Sequence, residues 1–76
     1  MEILAIRLQK LRKEHKWKQE EVAEKTGIVL RTYRRYEKGE IEPQASAMVK
    51  FADLYDVSID YLTGRTDDPR FGTEID

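Results

Sequence analysis

Residues Gln19 to Gly39 read QEEVAEKTGIVLRTYRRYEKG, and the spacing within this stretch decides the fold. Glu20 and Glu21 stand in the first turn of a helix beginning at Gln19, where the exposed N–H groups and the macrodipole favour carboxylates. Lys18 is a weak N-cap residue, so that start rests on the acids rather than on the cap. Val22 and Ala23 point inward, and Gly27 stops the segment after about two turns. Only Gly27, Ile28 and Val29 precede a second helical segment, Leu30 to Lys38, which Gly39 closes in turn. Two short helices joined by so brief a turn cannot lie side by side, so they cross steeply.

The second segment has two unlike faces. At about 100° per residue from Leu30, Tyr33 and Tyr36 fall at ~300° and ~240°, whereas Arg34, Lys38, Arg31 and Arg35 fall at ~40°, ~80°, ~100° and ~140°. Cations crowded on one side of a short helix repel one another unless an anion answers them, and Glu37 lies at the margin of the two faces. An α-helix fits the major groove of B-DNA, about 12 Å wide, and an arginine there can donate two bonds to guanine O6 and N7. Lys18 and Lys38 suit phosphates, which set register without reading sequence. The alternative for these residues is a cationic face that is merely solvated.

Outward from this core stretch, Leu4, Leu8, Leu11 and His15 recur at helical spacing and define a first helix. Lys16 stands where a glycine would most easily take a left-handed cap, and Trp17 returns the chain to the core. Pro43 opens a fourth helix over Gln44 to Tyr55 with an expected inward stripe of Ala45, Met48, Val49, Ala52 and Tyr55. Ser58 caps a last short helix, Ile59 to Thr63, closed by Gly64. No stretch alternates with period two, so the class is all-α. The domain is expected over residues 1–66, with residues 67–76 as a C-terminal tail.

Composition removes several functions. There is no cysteine and one histidine, His15, so neither disulfides, thiolate metal sites nor a multi-histidine centre can form, and no metal or cofactor is expected. The longest apolar run, Ile3 to Ile6, is far below the roughly 20 residues of a membrane span, and a cytoplasmic chain is expected. Ser46 and Ser58 share a single histidine as a base, and no glycine-rich phosphate cradle occurs, so an enzyme is not expected. The net charge of −1 conceals a segregation: residues 1–39 hold 11 Lys/Arg against 6 Asp/Glu, and residues 40–76 hold 3 against 9. A polyanion would therefore meet one face rather than be wrapped.

The 19–39 stretch resembles the Cro/cI-type, or XRE-type, helix-turn-helix regulators of bacteria and phages. The likeness lies in Gln19 opening the first helix of the motif, Ala23 at the crossing, Gly27 in the turn, Tyr33 and Tyr36 as inward residues, and the Glu37-Lys38-Gly39 ending. It continues in Leu8, Leu11 and Arg12, in Pro43, and in Val57-Ser58-Ile59-Asp60-Tyr61-Leu62, covering about residues 4–66. This resemblance implies a compact five-helix, lambda-repressor-like DNA-binding domain, with Leu30–Lys38 in the major groove of an operator and the preceding helix across the backbone. It assigns Leu30, Arg31 and Arg35 to base edges, Thr32 and Arg34 to phosphate or a neighbouring base, and Gln19 to phosphate. It further implies a partly buried ion pair between Arg12 and Glu37.

Three positions depart from the family pattern. Val29 and Lys18 replace Ser/Thr-like caps, and Leu30 is apolar where polar readers are common, leaving it either an ordinary exposed leucine or a contact for a thymine methyl. Operator selectivity normally needs two half-sites about 34 Å apart, so a homodimer is expected, with Leu54, Ile59, Leu62 and Phe71 as candidate contacts. Each of these has packing within the monomer as its alternative, and for Leu62 that packing is the favoured reading. The competing function is a small helical protein-interaction module, for example an antitoxin-like partner, using the acidic C-terminal half.

Overall fold

The computed structural model describes residues 2–70, and over them the chain forms α1 (Glu2–Glu14), α2 (Gln19–Thr26), α3 (Leu30–Lys38), α4 (Ala45–Tyr55) and α5 (Ile59–Thr63), with no strand among the described residues. Each junction is closed by an identifiable local device. At the end of α1, Lys16 takes φ 58°, its N–H bonding Lys13 O at 3.0 Å and the Trp17 N–H bonding Arg12 O at 3.1 Å. A non-glycine residue in this conformation costs about 1 kcal/mol. Here it is offset by those two bonds and by the stacking of Trp17 on His15 at 4.5 Å.

Lacking a capping hydroxyl, α2 begins with the Lys18 N–H donating to Glu21 Oε1 at 2.8 Å. Its end is fixed by Gly27 at φ 73° and by buried Thr26, whose hydroxyl donates to Val22 O at 2.8 Å. The turn then enters α3 through Val29, which gives no side-chain cap and stands exposed. At the far end of α3, the Gly39 N–H bonds Tyr36 O and the Glu40 N–H bonds Arg35 O, at 3.1 and 3.0 Å.

The core joins Leu4, Leu8 and Leu11 of α1 to Val22, Tyr33, Tyr36, Met48, Phe51, Tyr55 and Leu62. Trp17 packs against it from the edge. The inward face of α4 differs from the expected stripe: Ala45 and Val49 are exposed, whereas Ala47 and Phe51 are buried with Met48, Ala52 and Tyr55. Phe51 sets this rotation, because its ring is the largest apolar surface on the helix and fits between Tyr33 at 5.8 Å and Tyr36, edge-on, at 6.1 Å. His15 lies just beyond α1 rather than on its stripe; it is exposed, with Nδ1 3.0 Å from Leu11 O.

Ser58 Oγ accepts from the Tyr61 N–H at 3.0 Å and starts α5. Leu62 is fully buried, which removes it as a dimer contact, because its side chain is already spent on the core. Leu54 is half-buried beside Lys25, Thr26, Lys50 and Asp53, and Ile59 is exposed. Phe71 lies outside the described residues. The chain after Gly64 is strapped to the body as far as Pro69. Arg7 donates to the carbonyls of Tyr61 and, at 2.7 Å, Thr66, and to Asp67 Oδ1 at 2.6 Å, while the Ser58 N–H donates to Pro69 O at 2.9 Å.

Candidate nucleic-acid interface

The inner face of α3 is held by Tyr33 and Tyr36, both buried, and by Glu37, whose side chain is only 4% exposed. A carboxylate so enclosed is stable only if its oxygens are satisfied. Arg12 of α1 donates from Nε to Oε2 at 2.7 Å and from Nη2 to Oε1 at 3.1 Å. Gln19 of α2 donates from Nε2 to Oε1 at 3.0 Å, and the Tyr33 hydroxyl donates to Oε2. Gln9 adds a bond to the Glu37 carbonyl at 2.7 Å. One acid thus ties α1, α2 and α3 together, and the Arg12 pair expected from the resemblance is part of a larger network.

Protonation follows from this geometry. Burial alone would raise the Glu37 carboxyl, but the bonds from Arg12, Tyr33 and Gln19 outweigh it and hold the group below its ordinary value. Burial, reinforced by the neighbouring carboxylate, pushes the Tyr33 hydroxyl far up. Burial likewise pushes Tyr55 up to about 12.

The outer face of α3 carries Arg31, Arg34, Arg35 and Lys38, all exposed, with Leu30 and Thr32 half-buried at its flanks. These cations are not equivalent. Arg34 turns toward α2, its Nε donating to Gln19 Oε1 at 3.3 Å and its Nη2 lying 4.0 Å from Glu20 Oε2. Arg35 pairs with Glu40 at 3.3 Å. Arg31 and Lys38 form no ion pair or side-chain hydrogen bond among the described residues. Lys18 stands exposed at the N-terminus of α2, next to Gln19.

Sequence reading misses two participants. Glu20 and Glu40 were not recognised as partners of the arginines, because one lies on a crossing helix and the other beyond the Gly39 turn, where no helical period applies. The resemblance assigns Gln19 to phosphate, and its nitrogen faces the buried acid. Its closeness to Glu37 depends on the crossing of α2 and α3, which the spacing predicts only coarsely.

The helix-turn-helix family matches residues 8–62 of this chain. An uncharacterized HTH-type transcriptional regulator of Bacillus subtilis (strain 168), YobD, is 49% identical over 63 residues, covering 83% of this chain and 56% of the relative. The HTH-type transcriptional regulator AnsR of the same organism is 41% identical over 59 residues, 78% of this chain and 51% of the relative. The cryptic phage CTXphi transcriptional repressor RstR of Vibrio cholerae serotype O1 (strain ATCC 39315 / El Tor Inaba N16961) is 45% identical over 47 residues, 62% of this chain and 42% of the relative. The chain thus spans about half the length of these relatives. No solved structure gives a significant match. Among the described residues, no helix is long and apolar enough to cross a membrane. With the five-helix order, the glycine turn between α2 and α3 and the family match over residues 8–62 in agreement, the chain belongs to the helix-turn-helix family of Cro/cI (XRE) type.

Proposed function

We propose that this chain binds a double-stranded DNA operator sequence-specifically as a cytoplasmic transcriptional regulator, acting as a repressor, with α3 in the major groove and α2 across the backbone. The observation that carries the reading is the exposed row of Arg31, Arg34, Arg35 and Lys38 on a helix anchored from behind by buried tyrosines. Arg31 and Arg35 read base edges together with Leu30, while Lys18, Lys38, Thr32 and Arg34 meet phosphate or a neighbouring base. The names of the similar proteins, transcriptional regulators and a phage repressor, support this reading over the protein-interaction alternative.

Anisotropy titration against random and selected duplexes at several salt concentrations tests it. Log affinity falls with log salt at about −0.9 per neutralised phosphate, and selected duplexes bind more tightly than random ones. Weak binding, equal for all duplexes, would refute it. The protein acts on DNA as a symmetric pair, paired through Ile59 and Leu54. Sedimentation with and without the selected duplex checks this, and a single chain per site would exclude the pairing.

A further inference from the structure

Gln19 sits where two demands meet. Its amide nitrogen lies 3.0 Å from Oε1 of the enclosed Glu37, and an ionised carboxylate only accepts, so the nitrogen must face inward. That leaves the amide oxygen toward α3, where it accepts from Arg34 Nε at 3.3 Å. A phosphate is also only an acceptor, so the Gln19 oxygen cannot hold one, and with one Nε2–H given to Glu37 the amide keeps a single N–H to offer. Arg34 is the right kind of group: with Nε directed at Gln19, its remaining guanidinium N–H groups stay available at the seam between α2 and α3. Glu20, 4.0 Å from Nη2, adds a second anchor on α2. The arrangement runs without a break from Arg12 through Glu37 and Gln19 to Arg34.

We propose that Gln19 is a positioning residue for Arg34, aiming its guanidinium as the phosphate clamp at the start of α2, and is not itself the phosphate ligand. This rests on the DNA-binding reading above. Because the geometry assigns an orientation rather than a charge, the two residues must act as one unit, and a double-mutant cycle reads that directly.

Phosphate contacts are indifferent to sequence, so a random-sequence duplex serves as the probe, titrated with the full chain carrying Gln19→Met, Arg34→Ala or both. Arg34→Ala is expected to weaken binding roughly five-fold and to lower the salt slope by about one phosphate. Gln19→Met is expected to reproduce much of both losses, and the double variant to bind no more weakly than Arg34→Ala alone. Gln19→Ala repeats the cycle with a different side chain, and circular dichroism fixes the folded fraction of each variant at the titration temperature. In the unbound chain, the Arg34 Nε–H resonance is expected to be protected from solvent exchange and to lose that protection in Gln19→Met. Losses that multiply in the double variant, full binding by both Gln19 variants, or an Arg34 resonance unchanged by Gln19→Met would each overturn the assignment while leaving DNA binding intact. An unaltered chain showing no salt-dependent binding would overturn the DNA reading, and this assignment with it.

Discussion

Arg12–Glu37 and Arg35–Glu40 are built from the same two groups, and both use an arginine Nε, yet they belong to different regimes. The first, 2.7 Å long, joins side chains 15% and 4% exposed; the second, 3.3 Å long, joins side chains 52% and 50% exposed. Inside, water is excluded and each lost partner strands a charge, so the pair fixes the pose of α3. Outside, water and salt screen the pair, and either partner can be surrendered to a competing ligand at little cost. One helix therefore carries a rigid anchor on one side and an exchangeable one on the other.

The most severe way to break this contrast is Glu37→Ala. It is expected to cost about 3–5 kcal/mol in urea or thermal denaturation, because Arg12 is left enclosed without its acid. A loss as small as that expected for the surface pair would make the two equivalent. A pH titration of stability sharpens the same point. The Glu37 carboxyl is held below its ordinary value of 4.5, so it binds fewer protons folded than unfolded. Its contribution is complete above that ordinary value and is lost as acid takes the solution down through the depressed folded one. Glu37→Gln is expected to be less stable near neutrality and to remove this part of the acid dependence; an unchanged profile would show that the carboxylate is not its source.

Smaller effects are expected on the outer face. Arg31→Ala should lose about 1–3 kcal/mol of discrimination between selected and altered duplexes. Its melting should shift by less than about 0.5 kcal/mol, since the side chain supports nothing in the fold. Discrimination retained in full would remove Arg31 from the base edges. Glu40→Gln is the mildest test: stability should change by no more than about 1 kcal/mol. Affinity for random duplexes should rise about two-fold as Arg35 loses a competing anion, and an affinity decrease would instead make Glu40 part of the contact.

Much of this architecture was legible because it depends on neighbours in the chain. Gly27, Gly39 and Gly64 mark three helix ends where φ is positive, and the period of Tyr33 and Tyr36 places the inner face of α3. Where reading failed, the deciding contact was distant in sequence. The stripe through Ala45 and Val49 is acceptable by period alone, but the rings of Tyr33 and Tyr36 select the face containing Phe51. For Leu62 the favoured reading, packing within the monomer, agrees with its burial, whereas Ile59 in the same five-residue helix stays exposed. For the candidate interface, residue types revealed which cations face outward. Which were already paired depended on the helix crossing and on a turn that folds Glu40 back toward Arg35.

The strap held by Arg7 has a kinetic consequence. Its bonds to Thr66 and Asp67 link positions separated by 59 and 60 residues, so they close a loop that takes in nearly the whole described chain. Contacts that close such long loops carry the largest entropic cost, which places the strap late in folding and early in local opening. The Ser58 amide, bonded to Pro69 O, should therefore exchange its hydrogen sooner than the amides of α1 and report when this end has come undone.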